Sequence, residues 1–151
     1  MTKRERAEQL FLDGYNCSQA VAGAFCEEVG MDFDTLVKFA SAFGGGMGRL
    51  REVCGTVSGM FLITGMLYGY NTPRDNEAKK ELYMRIQELA FKFKEKNGSY
   101  ICRELLGLDI KGADSPVPEQ RTAEYYKKRP CKKLAGDAAE ILEEYIASHG
   151  K

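Results

Sequence analysis

From Val53 to Thr72 no side chain carries a charge, and Gly55, Gly59, Gly65 and Gly69 fall within that run. Glycine costs a helix interior about 0.5–1 kcal/mol against alanine, so close packing or a special turn must offset it. A run of this length could span a bilayer. The glycines, with Thr56, Ser58 and Thr64, lower its hydrophobicity, and it lacks a clear basic flank, so no membrane insertion is expected. The remaining solution is a central helix buried on all sides. Gly55/Gly59 and Gly65/Gly69 are each four residues apart, so each pair lines one helix face where another backbone can approach. Such faces also suit self-association, which leaves a homodimer open. Just upstream, GGGMG at Gly44–Gly48 breaks the chain.

The rest of the sequence carries almost no strand signal. Helical apolar spacing recurs between glycine and proline stops. Thr2 caps a first helix to about Asp13, and Asn16 caps a second, CSQAVAGAFCEEV, that ends at Gly30. Asp32 or Asp34 starts a third, with Leu36, Val37, Phe39, Ala40 and Phe43 on its apolar side. The central helix should begin near Arg49 and end near Tyr70. A long helix to about Lys96 follows, and Ser99 caps a short one through Leu106. Residues 108–118 form a loop, and two helices close the chain, from Glu119 to about Lys128 and from Cys131 to Ser148. The predicted fold is all-α: a single domain, 1–151, forming a bundle of about seven or eight helices around a buried Gly-rich one.

Composition narrows the function classes. Basic and acidic residues balance at 22 each, so no nucleic acid partner is indicated. A single histidine, His149, removes most Cys/His metal schemes and the usual general base. The amino terminus MTKRERAEQLFLDGYNC is charged and amphipathic with no apolar signal core, which predicts a cytoplasmic protein. In that compartment five cysteines suggest redox or metal chemistry more than a disulfide framework.

The cysteines are Cys17, Cys26, Cys54, Cys102 and Cys131, and no two form a C-x-x-C pair. Four of them, Cys17, Cys54, Cys102 and Cys131, fall at or near predicted helix amino termini, where backbone N–H groups and the helix dipole favour a thiolate. Nearby cations would add to this where they point inward: Arg49 and Arg51 before Cys54, Arg103 after Cys102, and Lys127, Lys128, Arg129, Lys132 and Lys133 around Cys131. Cys26 is expected late in its helix, ahead of Glu27 and Glu28, as a core or surface residue. Tyr15, Arg49, Arg51 and Glu52 flank the cysteines and could assist chemistry near Cys17 or Cys54, but a structural role is favoured.

Four segments, GYNCSQAV, AFGGGMGRLREVCGTVSGMFLITGMLYG, CRELLG and CKKLAGDAAEIL, together resemble the C_GCAxxG_C_C family of redox-active proteins. The resemblance covers about residues 8–146. It implies that Cys17, Cys54, Cys102 and Cys131 are the family's four cysteines, with Cys26 outside the pattern and Thr56 where the motif has alanine. Three functions follow as expectations. The first is dithiol/disulfide redox chemistry with an unknown redox partner, for which Cys17 with Cys54 and Cys102 with Cys131 are the pairs to check. The second is a four-thiolate site on the same residues for an iron–sulfur cluster or zinc. The third is a non-catalytic helical binding or dimerisation module, with the cysteines as packing.

Overall fold

Thr2 and Asn16 start the first two helices as the sequence predicts. Each side chain accepts from the N–H three residues on, and Glu5 or Gln19 reaches back to the cap's own N–H, closing a capping box. The computed structural model describes residues 1–150. Its helices are α1 (Lys3–Leu12), α2 (Cys17–Gly23), α3 (Cys26–Val29), α4 (Phe33–Ala40), α5 (Gly44–Met47), α6 (Gly55–Tyr68), α7 (Asn76–Asn97), α8 (Cys102–Leu105), α9 (Ala123–Lys128) and α10 (Cys131–His149). Among the described residues the only β pairing is one antiparallel bridge, Val53 with Ile101. The protein is all-α.

Several boundaries differ from the sequence reading. The expected second helix breaks at Ala24–Phe25, so Cys26 opens α3 rather than ending α2. Asp32, not Asp34, caps α4, and Phe39 points out at 66% exposure, off the predicted apolar side. The central helix starts at Gly55, after an irregular stretch that the sequence had counted as its first turn. Ser99 is not the cap of α8. Its hydroxyl accepts from the Ile101 N–H at 3.0 Å and donates to Glu104, which shapes the approach to Cys102.

The core lies where α1, α2, α6, α7 and α10 meet, around Leu10, Phe11, Phe25, Met60, Ile63, Leu89, Phe93 and Leu142. α1 packs along α10, and one buried carboxylate pins them. Asp137, 1% exposed, accepts from Arg4 at 2.5 Å and from Lys133 at 2.8 Å, with Lys96 of α7 at 3.6 Å. Burial alone would raise its carboxyl, but these cations overcome that and hold it below the usual range.

α2 packs along α6, and glycine sets their separation. A Cβ on Gly59 would stand 2.7 Å from the Ser18 carbonyl oxygen and 3.2 Å from Val21 Cβ. A Cβ on Gly55 would overlap Cys17 Sγ. The first glycine pair is therefore a contact face. The second is not: Gly65 has open space at its Cβ position. Among the described residues no helix is long and apolar enough to cross a membrane. Gly59→Ala should destabilise the fold by about 1–3 kcal/mol through overpacking. Gly65→Ala should stabilise it by up to about 1 kcal/mol through helix propensity. Urea unfolding of the two variants reads both signs.

Candidate functional site

The chain from Gly45 to Arg49 turns in the left-handed sense. Five successive residues have positive φ, between 66° and 73°. For residues other than glycine this costs roughly 1–2 kcal/mol each, and Met47 and Arg49 are two such residues, followed by Arg51 at φ 59°. Glycine at 45, 46 and 48 removes that cost at the other positions. The turn closes with the Gly48 N–H donating to the Gly44 carbonyl at 3.0 Å and the Glu52 N–H to Gly46 at 3.0 Å. Gly46 is also a wedge: a Cβ there would come within 2.6 Å of Cys102 Cβ and 2.8 Å of Arg51 Cα.

This turn delivers residues 51–54 beside residues 100–103. The Cys54 N–H donates to the Tyr100 carbonyl at 2.9 Å, and the Cys102 N–H to Glu52 at 2.6 Å. The pairing makes Cys54 and Cys102 diagonal neighbours on the face opposite Val53 and Ile101. Cys17 enters from the first turn of α2, its sulfur against Gly55. Cys131 enters from the first residue of α10.

All four sulfur-bearing residues line one cavity of about 190 Å³, whose walls include Phe11, Leu134, Tyr125, Arg51, Arg121 and Arg129. All are free thiols, Cys54 and Cys102 buried, Cys17 and Cys131 half-buried. Cys26 does not line the cavity. The helix-start argument does not separate it, because Cys26 also begins a helix. What separates the four is convergence, which helix position alone cannot report.

The thiols interact. Burial pushes Cys54 well up, and the neighbouring Cys17 sulfur adds to it; the Thr56 hydroxyl, 3.1 Å from Cys54 Sγ, and the Thr56 N–H pull it down. Burial likewise raises Cys17, against the N–H groups of Gly45, Ser18 and Cys17 itself. Cys131 is pushed up to about 12 by burial, then by Cys17 and Cys102, with Arg129 and Arg121 opposing. Burial and the Cys131 and Cys17 sulfurs raise the Tyr125 phenol to about 12.

The cations divide differently from their sequence neighbours. Arg51 turns to Cys102, its Nη1 3.6 Å from Sγ, and not to Cys54. Arg103, next to Cys102, instead donates to the carbonyls of Leu50, Arg51 and Ile110 and pairs with Glu52 at 3.0 Å. Lys127, Lys128, Lys132 and Lys133 stay exposed, and of the cations near Cys131 only Arg129 lines the cavity. Residues 108–122 close one side. Asp114 takes Arg49 at 3.2 Å and Arg51 at 2.9 Å, and Arg121 donates to the carbonyls of Phe11 at 2.8 Å and Tyr15 at 3.1 Å. Asp114 and Arg121 are absent from the sequence reading: nothing in the 108–118 loop marks Asp114 as folding back, and Arg121 falls in a helix expected from Glu119 that begins only at Ala123.

The family described as "Putative redox-active protein (C_GCAxxG_C_C)" matches residues 15–145. The chain belongs to this family. The match spans all four cavity cysteines and the glycine turn that positions two of them. No curated protein and no solved structure matches the chain.

Among the described residues no group of three or more His, Cys, Asp or Glu side chains could hold a metal ion.

The raised thiols fix a pH dependence. An unfolded cysteine ionises near 9.0, whereas native Cys131 keeps its proton to about 12. Above pH 9 the native state binds the extra proton, so stability falls as pH rises through that window. The thermal midpoint should drop steadily from pH 9 upward, and Cys131→Ser should drop less steeply. Parallel slopes would contradict the assignment.

Proposed function

We propose that this protein is a dithiol/disulfide redox protein whose working thiols are Cys17, Cys54, Cys102 and Cys131. The observation that carries the reading is the convergence of these four, and not Cys26, on one cavity. The family's redox description supports it. A cavity of about 190 Å³ admits a small co-reactant, not a folded chain. A small disulfide is the simplest oxidant: two protein thiols become one disulfide, and the incoming disulfide leaves as two thiols, so electrons and protons balance. Five free thiols suit a reducing compartment such as the cytoplasm. The Thr56 hydroxyl on Cys54 supplies a polar partner that an alanine would not.

The test is anaerobic purification with elemental analysis, then a thiol count before and after a small disulfide such as 2-hydroxyethyl disulfide. The expected result is no stoichiometric metal and a loss of thiols in pairs, restored by dithiothreitol and unchanged in Cys26→Ser. Stoichiometric iron or zinc, or five thiols that ignore the oxidant, would overturn the reading.

A further inference from the structure

Of the cavity's four sulfurs, one has a charged hydrogen-bond donor. Arg51 is 4% exposed and donates from Nη1 to Cys102 Sγ at 3.6 Å. Cys54 shares a neutral hydroxyl with Thr56, and Cys17 meets backbone N–H groups. A guanidinium donor leaves the sulfur as acceptor, the role a thiolate fills, and the thiolate is the nucleophile in disulfide exchange. Arg51 is held from both ends. Its Nε and Nη2 grip Asp114 at 3.0 and 2.9 Å, which leaves Nη1 for the sulfur. Its N–H donates to the Gly45 carbonyl at 3.3 Å, and its own carbonyl accepts from the Arg103 N–H at 3.2 Å and from Arg103 Nε at 3.0 Å. The left-handed backbone at Arg51, strained for an arginine, is what turns this side chain inward. Structural strain of this kind is retained where the surrounding contacts over-determine it, as the Gly46 wedge and the Asp114 clasp do here.

We infer that Cys102 is the sulfur that attacks the incoming disulfide and that Arg51 is its positioning residue, an assignment that rests on the dithiol reading above. The Cys102 thiolate bonds to one sulfur of the small disulfide, whose S–S bond breaks, and the other half leaves as a thiolate that takes up a proton. A second cavity thiol gives up its proton, attacks Cys102 Sγ and releases the remaining half as a thiol. The groups facing Cys102 are Arg51 from the glycine turn, Cys54 beside it, Cys17 of α2 and Cys131 of α10.

Site-resolved alkylation with iodoacetamide, read by peptide mass spectrometry, tests this without needing turnover. In the wild type Cys102 should be labelled first among the four. Arg51→Met should slow Cys102 by about tenfold and leave Cys26 unchanged, while Arg51→Lys, which keeps the charge, should recover part of the rate. Initial labelling at another cavity cysteine would overturn the assignment on the wild type alone, whatever the variants' folding. So would an Arg51→Lys rate as low as that of Arg51→Met. If Cys102 leads and depends on Arg51, yet no thiols are lost reversibly to oxidant, then the redox reading fails while the reactivity assignment stands.

Discussion

The contact between α2 and the glycine face of α6 is what the rest of the site depends on. Ser18's carbonyl and Cys17's sulfur occupy space that side chains at 59 and 55 would fill. Because α2 lies that close, its first turn reaches the start of α6, and the sulfurs of Cys17 and Cys54 feel one another through a buried, low-dielectric gap. A larger residue at either glycine would push α2 outward and separate them. The close approach also buries Ser18 completely, and its hydroxyl is satisfied by the Ala40 carbonyl at 2.8 Å, which ties α4 to the same corner.

The second constraint is the left-handed turn. A right-handed continuation through residues 45–49 would have joined the glycine stretch to α6 as one helix, and would have set Arg51 beside Cys54, three residues on along the same face, instead of beside Cys102. Reversing the hand places residues 51–54 in register with 100–103. The side chains of Arg49 and Arg51 then hold a polar loop, through Asp114, across the cavity. Asp114's carboxyl is kept below the usual range by the Ser115 N–H and then by Arg51, so the clasp stays charged at neutral pH. Strain, cavity closure and the orientation of one arginine are thus parts of a single device.

Much of this was legible in the sequence for a physical reason. Caps at Thr2, Asn16 and Asp32 are local, and local hydrogen bonding decides them. The glycine spacing at 55 and 59 reports a close approach without naming the partner. The four cysteines came from helix-start positions and from family motifs, and the cavity brings those four together. What stayed hidden is non-local. Arg51 looked like a partner of Cys54, three residues away, yet it serves Cys102, because the hand of the glycine turn decides where it points. The local ground on which Cys26 was set aside, a place late in its helix, does not hold, since α2 ends earlier than its apolar spacing suggests and Cys26 opens α3. Gly65 looked like Gly59, and only tertiary packing distinguishes a seated glycine from an open one.

The most direct measurement of the account is bridging of the native protein by dibromobimane, which fluoresces when one molecule joins two neighbouring thiols. The account predicts an intrachain bridge whose peptides contain only Cys17, Cys54, Cys102 or Cys131, formed equally in Cys26→Ser. Single alkylation without any bridge, or bridges that reach Cys26, would contradict the convergence of the four thiols on one cavity.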